Sequence, residues 1–186
     1  MDEVRCQDHD RDEAAKRRPQ LQGEHFPTKP WDVEVDVTLT SAGPPAVFDV
    51  QTCLPRDGDG NIVFRNNGRP GFSVKFRFYD NTNDGQGSGY TFPQGANQND
   101  AIWSQLGENN CPQDPGAWDV FDKQSISIQQ NGATLVVRNP NPKLQSGDGQ
   151  GKFTYTLNVT QTGGKPYLPL DPGGVNMNGG SGLSRD

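Results

Sequence analysis

The stretch from Phe72 to Tyr79 constrains the fold of this chain more than any other, because its side chains alternate strictly between apolar and polar. The apolar positions are Phe72, Val74, Phe76 and Phe78. Alternation with a period of two is typical of a β-strand with one dry face and one wet face. Large apolar side chains on one face need an opposing apolar layer, which a single open sheet does not supply. We therefore expect a second sheet packed against this strand.

Other segments carry the same pattern. Residues 31–40 and 153–159 each place alternate apolar side chains on one face, and residues 46–52 and 62–65 offer shorter strands. Residues 90–93 predict a brief edge strand that Pro93 ends. The apolar clusters at 101–103 and 117–121 are expected to plug one end of the domain.

The clearest local signal is the dipeptide Asn131-Gly132, which favours a two-residue type I′ turn. A hairpin closed there pairs Ile128 with Leu135 and Ile126 with Val137, so both apolar pairs fall on the same face. Hairpin connections, and the lack of any helical pattern long enough for a crossover, predict an antiparallel arrangement. The sequence as a whole predicts an all-β protein, an antiparallel β-sandwich of about seven or eight short strands.

Three segments follow from this pattern. Residues 1–30 form a mixed-charge, polar N-terminal arm with few apolar residues, which we expect to be flexible. Residues 31–162 form the β-sandwich domain. Residues 163–186 form a tail rich in Gly, Pro and Asn, for which disorder is favoured over an extended course along the sandwich.

Composition bears on the class of partner. The formal net charge is −6, whereas nucleic-acid binding needs a clustered basic excess, so no nucleic-acid partner is expected. No apolar run is long enough to span a bilayer, so no membrane segment is expected. The first residues lack the apolar core of a secretory signal, which favours a cytoplasmic location unless a signal has been removed.

Histidine and cysteine placement argues against several kinds of catalytic site. Both histidines, His9 and His25, lie in the arm, so a His-based catalytic site or a His-ligated zinc within the domain is not expected. Cys6, Cys53 and Cys111 are few and scattered. Free buried thiols are the favoured interpretation, and a Cys53–Cys111 bridge is the alternative for an exported chain.

Aspartate clusters raise the possibility of calcium. Asp57-x-Asp59-x-Asn61 matches the opening of an EF-hand loop, but Ile62 and Gly68 stand where that loop needs Gly and Glu. An EF-hand is therefore excluded, and a looser Ca²⁺ site remains a hypothesis, in which a second loop acts alone or shares the ion. The candidate metal ligands are Asp57, Asp59, Asn61, Asp80 and Asp84. Turn-capping by Asp is the simpler interpretation.

Aromatic residues suggest a second kind of site. Aromatic faces beside carboxylates and amides suit carbohydrate binding, although aromatic plugging of the core is the favoured alternative. The candidate ligand or partner residues are Trp103, Trp118, Tyr90 and Asp119, with Trp31 and Tyr167 as further platform residues. A pair of carboxylates for glycoside hydrolysis is a third, weaker hypothesis, because the spacing does not fix their separation. Its candidates are Glu108, Asp114, Asp119 and Asp122.

Several short motifs resemble those of a group of small, uncharacterised bacterial β-sandwich proteins. They are Cys111-Pro112, Trp118-Asp119-x-Phe121, residues 134–139, and Asp171-Pro172 with Asn178-Gly179-Gly180. The resemblance spans roughly residues 70–180, and it implies a bacterial origin and a compact β domain. The group has no established activity, so the resemblance assigns no functional residue.

These observations together predict a non-catalytic binding or assembly module. Loops 56–61, 80–90 and 103–119 are expected to meet at one end of the domain and face a protein partner, with self-association through an edge strand or the tail. The alternative is a Ca²⁺-dependent carbohydrate-binding domain with a glycan partner, and a hydrolase is a distant third.

Overall fold

The computed structural model describes residues 33–54, 56, 58, 60–65, 72–106, 112, 120–140, 152–171 and 173–177. Ten strands form in this part of the chain. They are β1 (Val33–Ser41), β2 (Val47–Thr52), β3 (Ile62–Arg65), β4 (Phe72–Asp80), β5 (Ile102–Leu106), β6 (Asp122–Gln129), β7 (Thr134–Asn139), β8 (Lys152–Val159), β9 (Leu168–Leu170) and β10 (Gly173–Met177). A single helical turn covers Thr82–Gly85, and short 3-10 segments cover Gly95–Ala101 and Gln130–Gly132.

The strands form two sheets, so the protein is predominantly β as the sequence predicts. The first sheet has the order β2-β1-β4-β7-β6, which places the strand with the strictest alternation at its centre. The second has the order β3-β10-β8-β5, with β9 also paired to β8. Among the described residues, no helix is long and apolar enough to cross a membrane.

The expectation of a wholly antiparallel arrangement is wrong, because two pairs of strands are parallel. β1 lies parallel to β4, and β10 lies parallel to β3. A parallel pair usually needs a helical crossover, and the sequence has no helical pattern long enough for one. Here β3 belongs to the second sheet, so the chain leaves the first sheet after β2 and returns as β4 beside β1. A strand in the other sheet thus serves as the crossover.

One apolar core draws its residues from both sheets. Val35, Phe76 and Tyr155 are fully buried, although the first two belong to the first sheet and Tyr155 to the second. The ring centroids of Phe76 and Tyr155 are 5.9 Å apart, and Phe121 contacts both rings edge-on. The apolar stripes read from the sequence therefore meet one another rather than solvent.

Before the tail, the predicted strands agree closely with the structure except in two regions. Residues 102–106 form β5 in the second sheet, so this apolar cluster is not a plug at the end of the domain. Residues 90–93 contribute only an isolated bridge between Thr91 and Thr160 instead of an edge strand. In both regions the apolar runs are too short for their period to separate a strand from a loop.

The tail contributes structure that its composition does not predict. β9 and β10 pair with β8 in the same antiparallel register. Leu170 is fully buried. Two parts of the tail are therefore extended, Leu168–Leu170 and Gly173–Met177, where the composition favours disorder. The arm and residues 178–186 lie outside the described residues.

The hairpin prediction is confirmed near the turn. Ile128 pairs with Leu135, and the Ala133 N–H donates to the Gln130 carbonyl at 3.1 Å around Asn131 and Gly132, both at positive φ. The register then shifts between Asp122 and Ser127, so the predicted Ile126–Val137 pair is missing from the ladder.

Candidate functional site

Several loops come together at the end of the molecule where β1 and β4 finish. Because these two strands are parallel, their last residues lie side by side, and the Asn81 N–H donates to the Leu39 carbonyl at 2.8 Å. The loop after β4 then meets the end of β8, where Thr91 and Thr160 exchange backbone hydrogen bonds of 2.9 and 2.8 Å. Residues from distant parts of the sequence therefore share one surface.

The carboxylate of Asp80 organises the loop that follows β4. Its Oδ1 accepts hydrogen bonds from the Thr82 N–H at 3.1 Å and the Thr82 hydroxyl at 2.6 Å. Its Oδ2 accepts from the Ser88 N–H at 2.7 Å and the Tyr90 N–H at 2.9 Å. Burial by itself would raise the pKa of Asp80, but these hydrogen bonds outweigh it and lower the pKa below the ordinary 3.8. Asp80 thus acts as the anchor of a preformed loop.

The hairpin between β6 and β7 is fitted tightly against the same loops. The Gly132 carbonyl accepts from the Phe92 N–H at 2.8 Å, and Gly132 is buried with φ at +89°. A Cβ on Gly132 would lie 2.6 Å from the Thr91 Cβ, closer than real contacts allow. Glycine is therefore required here both for its backbone conformation and for space.

Further side-chain bonds brace this region. The Gln161 amide donates to the Ser88 carbonyl at 2.8 Å, and the Asn97 amide donates to the Gly163 carbonyl at 3.2 Å. We call the surface formed by residues 81–101, 130–133 and 160–167 the amide-rich end. Its exposed side chains are mostly carboxamides, with Asp84 and Lys165 as exposed charges. The exposed carboxamides are Asn81, Asn83, Gln86, Gln94, Asn97, Gln130, Asn131 and Gln161.

The predicted grouping of three loops at one end is wrong. Thr52, the last residue of β2, pairs with Val35 near the start of β1, whereas Asp80 pairs with Leu39 near its end. These positions are four residues apart along β1, which corresponds to about 13 Å. The loop that contains Asn61 therefore lies at the opposite end from the loop after Asp80. β5 also runs away from the amide-rich end, since Leu106 pairs with Phe153 at the start of β8.

This geometry bears on each candidate calcium ligand. Asp80 already accepts four hydrogen bonds, and Asp84 is exposed. Asn61 is too distant to share an ion with them, and Asp57 and Asp59 lie outside the described residues. Within the described ranges, no group of three or more His, Cys, Asp or Glu side chains could hold a metal ion.

The predicted aromatic platform is only partly described, and within the described residues Trp103 and Tyr167 contact each other. Tyr90 is half-buried and packs against the core. Trp103 is 6% exposed and lies on the outer face of the second sheet, opposite Thr156, so it plugs neither the core nor an end. Trp31, Trp118, Asp119, Glu108 and Asp114 lie outside the described residues. Asp122, the remaining hydrolase candidate, begins β6, and its Oδ1 accepts from the Gln124 N–H at 2.9 Å.

Trp103 belongs to a polar and aromatic cluster that sequence reasoning found only in part. Its ring contacts Tyr167 edge-on at 6.1 Å, and the Tyr167 hydroxyl donates to Asp100 Oδ2 at 2.7 Å. The Asn158 amide donates to the Asp100 carbonyl at 2.7 Å. We call these four residues and Thr156 the Trp103 cluster. No local signal connects Asp100 with Tyr167, because 67 positions separate them.

Burial raises the pKa of Tyr167 to about 12, and both the hydrogen bond to Asp100 and the charge of Asp100 act in the same direction. The phenol therefore stays protonated at neutral pH and keeps donating to Asp100. Thr156, which is fully buried, donates to the Pro112 carbonyl at 2.7 Å. The cluster thus has a fixed arrangement of donors and acceptors.

Cys53 is bonded in a disulfide, so the expectation of a free thiol is wrong at this position. It follows β2 directly and is exposed rather than buried. Cys6 and Cys111 lie outside the described residues. The sequence contains no signal that separates a scattered pair of thiols from a bridged pair, because the pairing depends on the folded distance.

No protein-family model matches this sequence, and a comparison with curated proteins finds no match.

Proposed function

We propose that this protein is a non-catalytic binding module, a β-sandwich that presents the amide-rich end to a protein partner. The two sheets support a sandwich because their apolar faces contribute to one core. The observation that carries the functional proposal is the bracing of the amide-rich end. Loops from three separate parts of the chain are held there by backbone and side-chain hydrogen bonds, with Asp80 as the anchor.

Preformed loops on a rigid scaffold favour binding, because little conformational entropy is lost when a partner docks. The exposed carboxamides both donate and accept hydrogen bonds, so they suit a polar partner surface with few charges. Two carboxylates near these loops have structural partners: Asp80 holds backbone N–H groups, and Asp100 accepts from Tyr167. This arrangement favours recognition over acid–base chemistry.

The disulfide at Cys53 favours an oxidising compartment, because structural disulfides persist there and are rare in the cytosol. We infer that the protein works outside the cytoplasm, in place of the cytoplasmic location that the sequence favours. The alternative function, a Ca²⁺-dependent lectin, has less support, because the oxygens of Asp80 are used by its own loop.

The proposal is tested by making the same change at two places. Gln86→Lys adds a charge at the exposed surface of the amide-rich end, whereas Gln124→Lys adds it on β6, away from that surface. Immobilised parent protein is used to capture partners from an extract of the source cells, and captured species are then titrated against both variants. Analytical ultracentrifugation of each variant over a range of concentrations measures self-association.

We expect Gln86→Lys to weaken partner binding or self-association by about tenfold, and Gln124→Lys to behave as the parent. Equal binding by the two variants would contradict a partner surface at this end.

A further inference from the structure

β2 is an edge strand of the first sheet, with β1 on one side and no described strand on the other. The Leu39 carbonyl accepts from the Asn81 N–H on the side of β4, so Leu39 turns its backbone groups away from β2. Leu39 and Phe48 are therefore a cross-strand pair without mutual hydrogen bonds. Because such pairs alternate along a ladder, Phe48 and Val50 both direct their N–H and C=O groups to the free edge.

The guanidinium of Arg56 lies against this free edge. Its Nη2 donates to the Val50 carbonyl at 2.7 Å, and its Nη1 donates to the Gly60 carbonyl at 2.8 Å. The backbone of Arg56 forms a bridge with Ile62, the first residue of β3, so its side chain reaches from the second sheet to the first. Charged side chains on edge strands are one of the means by which proteins prevent strands from pairing with other chains.

The free edge complements a second copy of itself in one antiparallel register. A two-fold axis at Val50 places Val50 opposite its own copy, with both N–H and both C=O groups aligned to exchange hydrogen bonds. Asp49 then faces Gln51 of the copy. These two side chains are exposed, and within one chain they already form a hydrogen bond of 2.8 Å. An axis at Asp49 would instead set this carboxylate against its own copy, which like-charge repulsion disfavours.

We propose that the free edge of β2 is a self-association site, which pairs with β2 of a second copy about Val50, and that Arg56 holds it closed in the monomer. The Val50 carbonyl lies at the centre of this register, and Arg56 occupies it. Two guanidinium groups would also meet near the axis, where their like charges repel. Displacing Arg56 therefore opens the site. The inference goes beyond the amide-rich end, because neither β2 nor Arg56 belongs to that surface.

The test compares Arg56→Met with Arg138→Met by sedimentation equilibrium of the full chain over a range of concentrations. Arg56→Met keeps an unbranched side chain but frees the Val50 carbonyl. Arg138→Met is the matched control, because it removes the same charge from an exposed position on β7, which β1 and β4 separate from β2. We expect Arg56→Met to raise the dimer association constant by about tenfold or more, since each net hydrogen bond contributes about three- to tenfold. Arg138→Met should match the parent.

Charge changes at Gln51 test the register in the Arg56→Met background. Gln51→Glu sets a second carboxylate opposite Asp49 of the other copy and should weaken the dimer. Gln51→Lys sets an ammonium there and should keep the dimer or strengthen it. Equal dimerisation by these two variants would overturn the proposed pairing.

Two further results would overturn the proposal. One is an Arg56→Met variant that associates no more than the parent. The other is an open-ended assembly, because two-fold pairing of the two edges closes after two copies. If Arg56→Met does not fold, Arg56→Gln, which removes the charge and reaches at most one of the two carbonyls, is judged by the same criteria.

Discussion

Arg77 and Asp36 face each other on neighbouring parallel strands, and the guanidinium of Arg77 donates two hydrogen bonds to the Asp36 carboxylate. Nε lies 2.5 Å from Oδ1, and Nη2 lies 2.8 Å from Oδ2. Asp36 is only 6% exposed, although its position in β1 alternates with the core residues Val35 and Val37. The polar face of the first sheet therefore contains a nearly buried ion pair.

Breaking the Arg77–Asp36 pair should destabilise the protein more than breaking the neighbouring Lys75–Glu34 pair. Arg77→Met leaves the Asp36 carboxylate buried without its main partner, and we expect a loss of about 2–4 kcal/mol in the free energy of unfolding. Lys75→Met is the comparison, since Lys75 bonds Glu34 at 3.4 Å, and the Glu34 carboxylate that it leaves behind is 32% exposed and also lies 3.5 Å from Arg77. Because Glu34 keeps this partner and part of its solvent contact, the loss should be smaller than for Arg77→Met. Equal losses of stability in urea denaturation would contradict a special role for the buried Arg77–Asp36 pair.

Asp80→Asn should loosen the amide-rich end. The change removes the negative charge that four donors share, and we expect a loss of about 1–3 kcal/mol at neutral pH. Because the hydrogen bonds lower the pKa of Asp80, the stability from its charged form is complete well above pH 3.8 and is lost as the pH falls through and below that value. The difference between parent and variant should therefore shrink on acidification.

Unfolding curves from pH 7 to pH 2.5 provide the measurement. Asp84→Asn, in the same loop but exposed, is the control and should change stability little. A difference between parent and Asp80→Asn that stays constant with pH would mean that the Asp80 charge is not what holds the loop.

Gly132→Ala should be much more costly than Gly89→Ala. Both glycines have positive φ, +89° and +83°, so an alanine is strained at either position. Only Gly132 would also place its Cβ against Thr91, whereas nothing lies within 4 Å of a Cβ at Gly89. We expect the difference in the free energy of unfolding to be about 1–3 kcal/mol. Similar values for the two variants would show that the hairpin does not pack on Thr91.

Reduction should destabilise the protein through Cys53. We expect dithiothreitol to lower the stability of the parent by about 2–4 kcal/mol and Cys53→Ser to show the same loss without reductant. Adding dithiothreitol to Cys53→Ser should have no further effect. The cysteine bonded to Cys53 is identified by comparing Cys6→Ser with Cys111→Ser. Only the variant that lacks this cysteine should lose as much stability as Cys53→Ser. A parent whose thermal unfolding is indifferent to reductant would contradict a structural disulfide.

Much of the first sheet could be predicted from sequence, because strands such as residues 72–79 bury one face and leave a clear period of two. The strands of the second sheet are harder to predict from sequence. In β8 both faces are buried, since Thr156 and Asn158 on the outer face are as inaccessible as Tyr155 and Leu157. The polar residues of such a strand suggest a wet face that does not exist.

The candidate sites were less predictable than the strands. The sequence predicts Asp80 as a metal ligand, because its carboxylate oxygens can be recognised in the sequence but the Ser88 and Tyr90 N–H groups that bond them cannot. The Trp103 cluster joins residues of β5 and β8 with Asp100, which precedes β5, and Tyr167, which precedes β9. Their proximity depends on how these strands pair. Residues 168–177 lack the apolar alternation of a strand, so pairing with β8 decides their conformation.

The position of β10 has a consequence for how the chain is made. β3 joins the second sheet through β10, which is more than 100 positions later in the sequence. During synthesis β3 must therefore wait for more than 100 further residues to be made, whereas β1 and β2 can form their hairpin as soon as both have emerged. Chains interrupted just before residue 173 would lack β10, which would leave residues 152–154 of β8 unpaired on that side and all of β3 open to aggregation.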